Sequence, residues 1–242
     1  MNKNIAFLEL KYGNIYGGYP NFYAISEIAL LVFEQGTNRI FLESWINNAN
    51  IDIVSVFSRV DELGHTIGRA KEVINLRTRR RKPFREDYRL DERGLSYSFK
   101  QLRPSKMPIR NFLLKNFRKY RFRDIVTFDG RRDVFLCERS GVNFERYNII
   151  DLQKDLNKET DYLFSLNKLS VVIDFDFDRS YLRSNNLEYW LHPIAARQIV
   201  PKSAAFDAAR LMMVHNEWYE HHDDFLMKAA LILNKIQNTK TQ

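Results

Sequence analysis

The sequence predicts an α/β protein, with a mixed sheet carrying helices on its faces. Two observations support this. The N-terminal part holds three short apolar segments of strand character separated by turn residues. The remainder alternates helical and strand-like patterns, the order expected of a layered α/β domain. Composition agrees: 45% of the 242 residues are hydrophobic and 28% charged, and 18 Phe and 12 Tyr can build a substantial core. Only nine Gly and six Pro are present, which weighs against a fibrous or low-complexity chain.

Residues 5–11 (IAFLELK) alternate as a strand, and residues 12–23, rich in Gly, Asn, Tyr and Pro, read as a loop. Residues 24–33 (AISEIALLVF) and 39–46 (RIFLESWI) read as two further strands, joined through Gln35-Gly36-Thr37-Asn38 in an antiparallel meander. Residues 51–63 are apolar at Ile51, Ile53, Val54, Val56, Phe57 and Val60, a spacing that leans helical. Residues 108–120 place Ile109, Phe112, Leu113, Phe117 and Tyr120 at helical spacing, with basic residues between them. A short buried-type strand follows at 124–128 (DIVTF), then a turn at Asp129-Gly130 and a helix over 132–139. Residues 147–152 (YNIIDL) form another strand, 161–172 a helix, and 205–221 and 223–236 two long helices. No internal repeat or clear linker interrupts the pattern. The expectation is one domain over residues 1–242 with a basic insertion at about 69–107.

Several function classes are excluded. No apolar run approaches the ~18 residues of a membrane-spanning helix, so no membrane partner is expected. Residues 1–4 lead straight into a strand without signal-peptide architecture. The single cysteine, Cys137, can form no internal disulfide and no zinc cluster by itself, and the simplest compartment is a reducing cytoplasm. Walker, G-x-G-x-x-G and G-x-S-x-G motifs are absent.

The formal charge of +8 is unevenly distributed. Residues 69–123 hold 19 Lys and Arg against five acids, leaving 19 bases and 25 acids elsewhere. The densest stretch is Arg77, Arg79, Arg80, Arg81 and Lys82, followed by Arg85, with Phe84, Tyr88, Tyr97 and Phe99 close by. Arginine pairs with phosphate in a fork and stacks on bases, and aromatic rings offer stacking platforms. The segment therefore suits DNA or RNA, single-stranded in particular. A solvated loop or a dock for an acidic protein partner would have the same composition.

Taken in order along the chain, the elements and the acidic motifs Phe7-Leu8-Glu9-Leu10-Lys11, Thr127-Phe128-Asp129-Gly130-Arg131-Arg132-Asp133 and Lys202-Ser203-Ala204-Ala205-Phe206-Asp207-Ala208 resemble the DnaQ-like, or DEDD, 3′–5′ exonuclease superfamily. Glu9 lies on the first strand in Phe7-Leu8-Glu9-Leu10-Lys11, and Ser26-Glu27-Ile28-Ala29-Leu30 is similar to the start of the family's second strand. Thr127-Phe128-Asp129-Gly130-Arg131-Arg132-Asp133 is similar to the second acidic motif, with Asp133 in the acidic place. Ser165-Leu166-Asn167-Lys168-Leu169 matches an S-L-x-x-L helix, and Lys202-Ser203-Ala204-Ala205-Phe206-Asp207-Ala208 resembles H-x-A-x-x-D-A, with Asp207 in the acidic place. The resemblance spans roughly residues 5–220 and implies a ribonuclease H-like fold. It also implies carboxylates binding two divalent metals, Mg²⁺ or Mn²⁺, with Glu9, Asp133 and Asp207 as ligands if the site is active.

The departures are as informative. Lys11 stands where the family has the second carboxylate of its first motif, on the same face as Glu9 because strand side chains alternate. Lys202 stands where His would be, and Ser203 where Tyr would be. A two-metal centre needs clustered carboxylates around ions roughly 3.5–4 Å apart. Replacing one carboxylate by lysine changes the site charge by two units, removes a ligand and adds repulsion. Such an ammonium could instead take the place of one metal and hold a phosphate, preserving binding without hydrolysis. The expectation is a nucleic-acid-binding protein with a degenerate metal site, or with no metal at all, acting with protein partners in a nucleoprotein assembly. The alternatives are an active metal-dependent 3′–5′ exonuclease and a protein-interaction scaffold.

Each residue also has a plain structural reading. Glu9 and Lys11 would make a cross-sheet ion pair, and Asp133 would favour a helix N-terminus. Asp207 and Glu27 would be structural, and Lys202 a surface lysine. Asp174, Asp176 and Asp178 read as a charged edge strand or loop. His215, His221 and His222 read as a surface cluster, since their spacing does not match H-E-x-x-H.

Overall fold

The structure is a computed structural model that describes residues 3–240. Strands β1 (Asn4–Ile15), β2 (Tyr23–Glu34) and β3 (Arg39–Ile46) form an antiparallel meander in the order β3-β2-β1. On the other side of β1 lie β7 (Asp124–Thr127) and β8 (Asn148–Asp151), both parallel to it. Helices cover both faces. This is a ribonuclease H-like mixed sheet.

Alternation along β1 divides the molecule into two layers. Ala6, Leu8 and Leu10 face a core shared with Ile109, Leu113 and Phe117 of α1 (Glu92–Tyr120) and with Leu136 and Cys137 of α2 (Arg131–Arg139). Ile5 and Phe7 face the opposite core, built mainly on Ala208, Leu211, Met212 and His215's neighbour Val214 of α6 (Ala204–Glu220). Glu9 and Lys11 continue this second face, beyond the apolar part of the strand.

β1 runs four residues further than the sequence pattern suggests. At Asn14 and Ile15 it pairs with β4 (Asp52–Val60), which continues into β5 (Thr66–Asn75) and β6 (Arg81–Pro83) as a basic arm. Gly13 permits this switch, since a Cβ there would lie 2.3 Å from the Val54 carbonyl oxygen. The helical reading of residues 51–63 is thus replaced by a hairpin. Ile53 and Val54 are buried while most of the remaining strand is exposed, and stiff β-branched side chains suit the cross-strand pairing with β5. Asp61 closes the turn by accepting the backbone N–H groups of Leu63 (3.0 Å) and His65 (2.8 Å).

The basic segment is ordered beyond this hairpin. α1 starts at Glu92, well before Pro108, with the Asp91 carboxylate accepting the Gly94 N–H at 2.9 Å as N-cap. Pro104 and Pro108 lie inside the helix. Both rings are exposed, so carbonyls they leave unpaired can meet water. Leu102, Ile109, Leu113 and Phe117 meanwhile maintain the buried stripe. The helix expected over 161–172 is shorter. Residues 152–160 form α3 (Leu152–Thr160), Asp161 ends it in a left-handed conformation, and α4 (Leu166–Val172) restarts with Ser165 as N-cap. Among the described residues no helix is long and apolar enough to cross a membrane.

Candidate nucleic-acid groove and its acid–lysine pocket

β1, α2 and α6 bring the motif residues together. The β1–β2 ladder shifts register between Lys11 and Tyr12, opposite Glu27 and Ile25, so Ser26 is an extra residue on β2. Such a bulge twists the pair and re-aims side chains at the rim of a sheet. Glu9 and Lys11 project on one face, as expected, and both line a groove of about 1340 Å³. Asp207 reaches the same groove from the first turn of α6. Asp133, in the first turn of α2, is buried beside Leu10, whose backbone N–H it accepts.

Two protein cations engage Asp207. The Lys11 ammonium donates to one carboxylate oxygen and the Arg210 guanidinium to the other. Arg210 is itself held by Asn167 Oδ1 at 2.7 Å and lies over the Phe206 ring at 5.1 Å. Glu9 is buried, and its Oε1 has no hydrogen-bond partner. Burial, then the nearby carboxylates of Asp133 and Asp207, push the Glu9 carboxyl well above the usual range, against the opposing pull of Lys11 and Arg210. Burial also pushes Asp133 up to about 7, although the Leu10 N–H counteracts it.

Asp207 already satisfies two cations, and among the described residues no three His, Cys, Asp or Glu side chains are grouped so as to hold a metal ion.

The other motif positions are structural in part. The Ser203 hydroxyl accepts the Phe206 N–H at 3.1 Å and caps α6. Glu27 accepts the Ala204 N–H at 3.0 Å at the same helix start. Lys202 is exposed in a left-handed conformation at the groove lip.

Of the six basic residues expected to contact nucleic acid, Arg79 and Arg81 line the groove. Arg79 donates to the Asn47 carbonyl at 3.2 Å, and Arg81 pairs with Glu72 at 2.9 Å and lies over the Phe57 ring at 5.3 Å. Lys82 pairs with Asp52 at 2.7 Å. Arg77, Arg80 and Arg85 are exposed outside the groove lining. The arm reaches across to α4: at the β4–β5 turn, Gly64 sits so close that a Cβ would lie 2.7 Å from the Lys168 backbone nitrogen.

Sequence reasoning missed Arg210, Arg132 and the two tyrosines of the groove. Arg210 stands three residues after Asp207, an i,i+3 spacing that marks a helical ion pair. Arg132 lies over the rings of Tyr12 (5.9 Å) and Tyr23 (4.9 Å), which meet edge to face at 5.5 Å. No short pattern links these three residues.

The remaining clusters do not form sites. His215 is buried, with Nδ1 2.9 Å from Asn216 Oδ1, whereas His222 pairs with Glu159 at 3.0 Å. The expected surface cluster is therefore split, with His215 in the core. Asp178 closes a turn by accepting the N–H groups of Ser180 and Tyr181, and β9 (Asp176–Phe177) is only two residues long. Cys137 is buried, and its thiol is pushed up by that burial.

No protein-family model matches the chain, and no curated protein matches it. A solved structure described as the crystal structure of full-length 3′-exonuclease is similar at a TM-score of 0.41 and 13% identity, over 91% of this chain. The chain spans 62% of the length of that structure. The strand order, not this likeness, carries the fold assignment.

Proposed function

We propose that the chain is a DnaQ-like exonuclease relative that binds single-stranded DNA or RNA in the groove without hydrolysing it, as part of a nucleoprotein assembly. The observation that supports this most is the seating of Lys11 and Arg210 on Asp207. Fixed side-chain cations there supply positive charge for a phosphate, but no Lewis acid and no activated water. Arg79, Arg81, Arg132 and Lys202 add charge along the groove, and Tyr12, Tyr23, Phe57 and Phe206 add rings on which unpaired bases can stack.

The test uses end-labelled single-stranded DNA and RNA with Mg²⁺ or Mn²⁺. The expected result is salt-sensitive binding that weakens in an Arg79→Gln, Arg81→Gln, Lys202→Gln variant, with no shortening of either strand. Metal-dependent shortening that disappears in Asp133→Ala and Asp207→Ala would instead establish an active exonuclease. Absence of binding at low salt would leave the scaffold reading, with the basic arm docking an acidic protein.

A further inference from the structure

The basic segment serves two opposite faces of the molecule. Its hairpin borders the groove, whereas α1 packs on Ala6, Leu8 and Leu10, on the far side of the sheet from Glu9 and Lys11. Between Arg93 and Tyr120 the helix carries eight Lys and Arg and no acid. Its buried stripe runs through Ser98, Leu102, Ser105, Ile109 and Leu113. At 3.6 residues per turn, Arg93, Lys100 and Arg118 fall within about 20° of one line directly opposite that stripe, and Arg103 and Arg110 lie about 60–80° to one side of it.

All five are exposed. Among the described residues none of them forms an ion pair. Arg110 donates its Nε to the Gly141 carbonyl at 3.2 Å, a contact that neutralises no charge. The basic face from Arg93 to Arg118 is roughly 38 Å long at 1.5 Å per residue. That is close to one turn of a nucleic-acid duplex, about 34–36 Å.

The chemistry of this face differs from that of the groove. No aromatic residue lies on the outward line, and Phe99, on the flank, packs edge to face on Phe22 at 5.1 Å. The face can neutralise phosphates, and the one exposed ring at its edge, Phe99, is already engaged by Phe22. A rigid rod of phosphates with its bases already paired is the partner that suits it.

We infer that the outward face of α1 is a second nucleic-acid surface, which takes the phosphate backbone of a duplex independently of the groove. A strand emerging from a duplex could then be held on both faces of one chain. This goes beyond the single-strand reading of the groove.

The test compares the full chain with two variants, by fluorescence anisotropy over a range of salt, on a blunt duplex and on a single strand. The α1 variant carries Arg93→Gln, Lys100→Gln, Arg103→Gln and Arg118→Gln, all at exposed positions where glutamine retains helix propensity. The groove variant carries Arg79→Gln, Arg81→Gln and Lys202→Gln. With a duplex of about 20 base pairs, the α1 variant should lose roughly 3–4 units from the slope of log K against log salt, at about 0.9 per phosphate contact. Its single-strand affinity should change less than about threefold, and the groove variant should show the reverse pattern. An unchanged duplex slope in the α1 variant overturns the inference. So does equal loss on both ligands, which marks a general charge effect, and so does wild-type protein that binds no duplex at low salt. Duplex binding that depends on α1, without single-strand binding, would overturn the groove reading and leave this one standing.

Discussion

Replacing Asp133 by asparagine should make the protein more stable at neutral and mildly alkaline pH. Burial holds the Asp133 carboxyl at about 7, against an ordinary value of 3.8. Between these two values the folded state keeps a proton that the unfolded state has released. Stability therefore falls as pH rises through this window, and falls no further once both states are ionised. At about 1.4 kcal/mol per unit, the loss attributable to this group is about 4 kcal/mol as an upper limit. Asparagine has nearly the same shape, cannot ionise, and retains an oxygen to accept the Leu10 N–H. The variant should match wild type near pH 4 and exceed it by up to about 4 kcal/mol near pH 8. Glu9 shares the pocket and is raised partly by Asp133. A residual slope from Glu9 should therefore persist in the variant, moved to lower pH. Urea unfolding of both proteins at a series of pH values gives the comparison directly. Wild-type stability that climbs from about pH 4 to about pH 7, or a variant whose curve runs parallel to wild type, would refute the reasoning.

Two further outcomes follow from the pocket and the arm. Lys11→Glu should strip one cation from Asp207 and add a fourth carboxylate to the pocket, lowering stability by about 1–3 kcal/mol without metal, less than for a fully buried pair because the Lys11 side chain is 36% exposed. Mn²⁺ at about 100 times its dissociation constant should then restore about 2.7 kcal/mol, read as a rise in Tm that wild type does not show. Equal Tm with and without Mn²⁺ would mean that Lys11 is not what keeps an ion out. Gly64→Ala should cost about 1–2 kcal/mol, because Gly64 has a φ of +75° and its new Cβ would meet the Asn167–Lys168 backbone. Limited proteolysis should cut the β4–β5 turn faster in this variant, and unchanged cutting would show that the turn does not depend on its contact with α4.

Much of the fold was legible in local pattern. The meander of β2 and β3, the strand at DIVTF, the helix that begins near Arg131 and the final helical pair all follow from periodicity and turn residues. The misreadings share a cause. Residues 51–63 contain apolar positions compatible with either period, and pairing with a strand that begins at Thr66 decided between them. The start of α1 was obscured by Pro104 and Pro108, which are tolerated only because the exposed face of the helix carries them.

The sequence by itself determined that Glu9 and Lys11 share a face, because side chains on a strand alternate. It also determined that positive charge concentrates in residues 69–123, and that Asp133 and Asp207 each lie in a first helical turn. Tertiary structure decided the chemistry of the pocket. Lys11 meets Asp207 across a separation of 196 residues, and Arg210 engages the other oxygen of that carboxylate. Tertiary structure also divided the basic segment between the two faces of the sheet. Short-range periodicity follows from backbone geometry within a few residues, so it can be read along the chain. Which charges end up as neighbours depends on how layers stack, and that is a property of the assembled core.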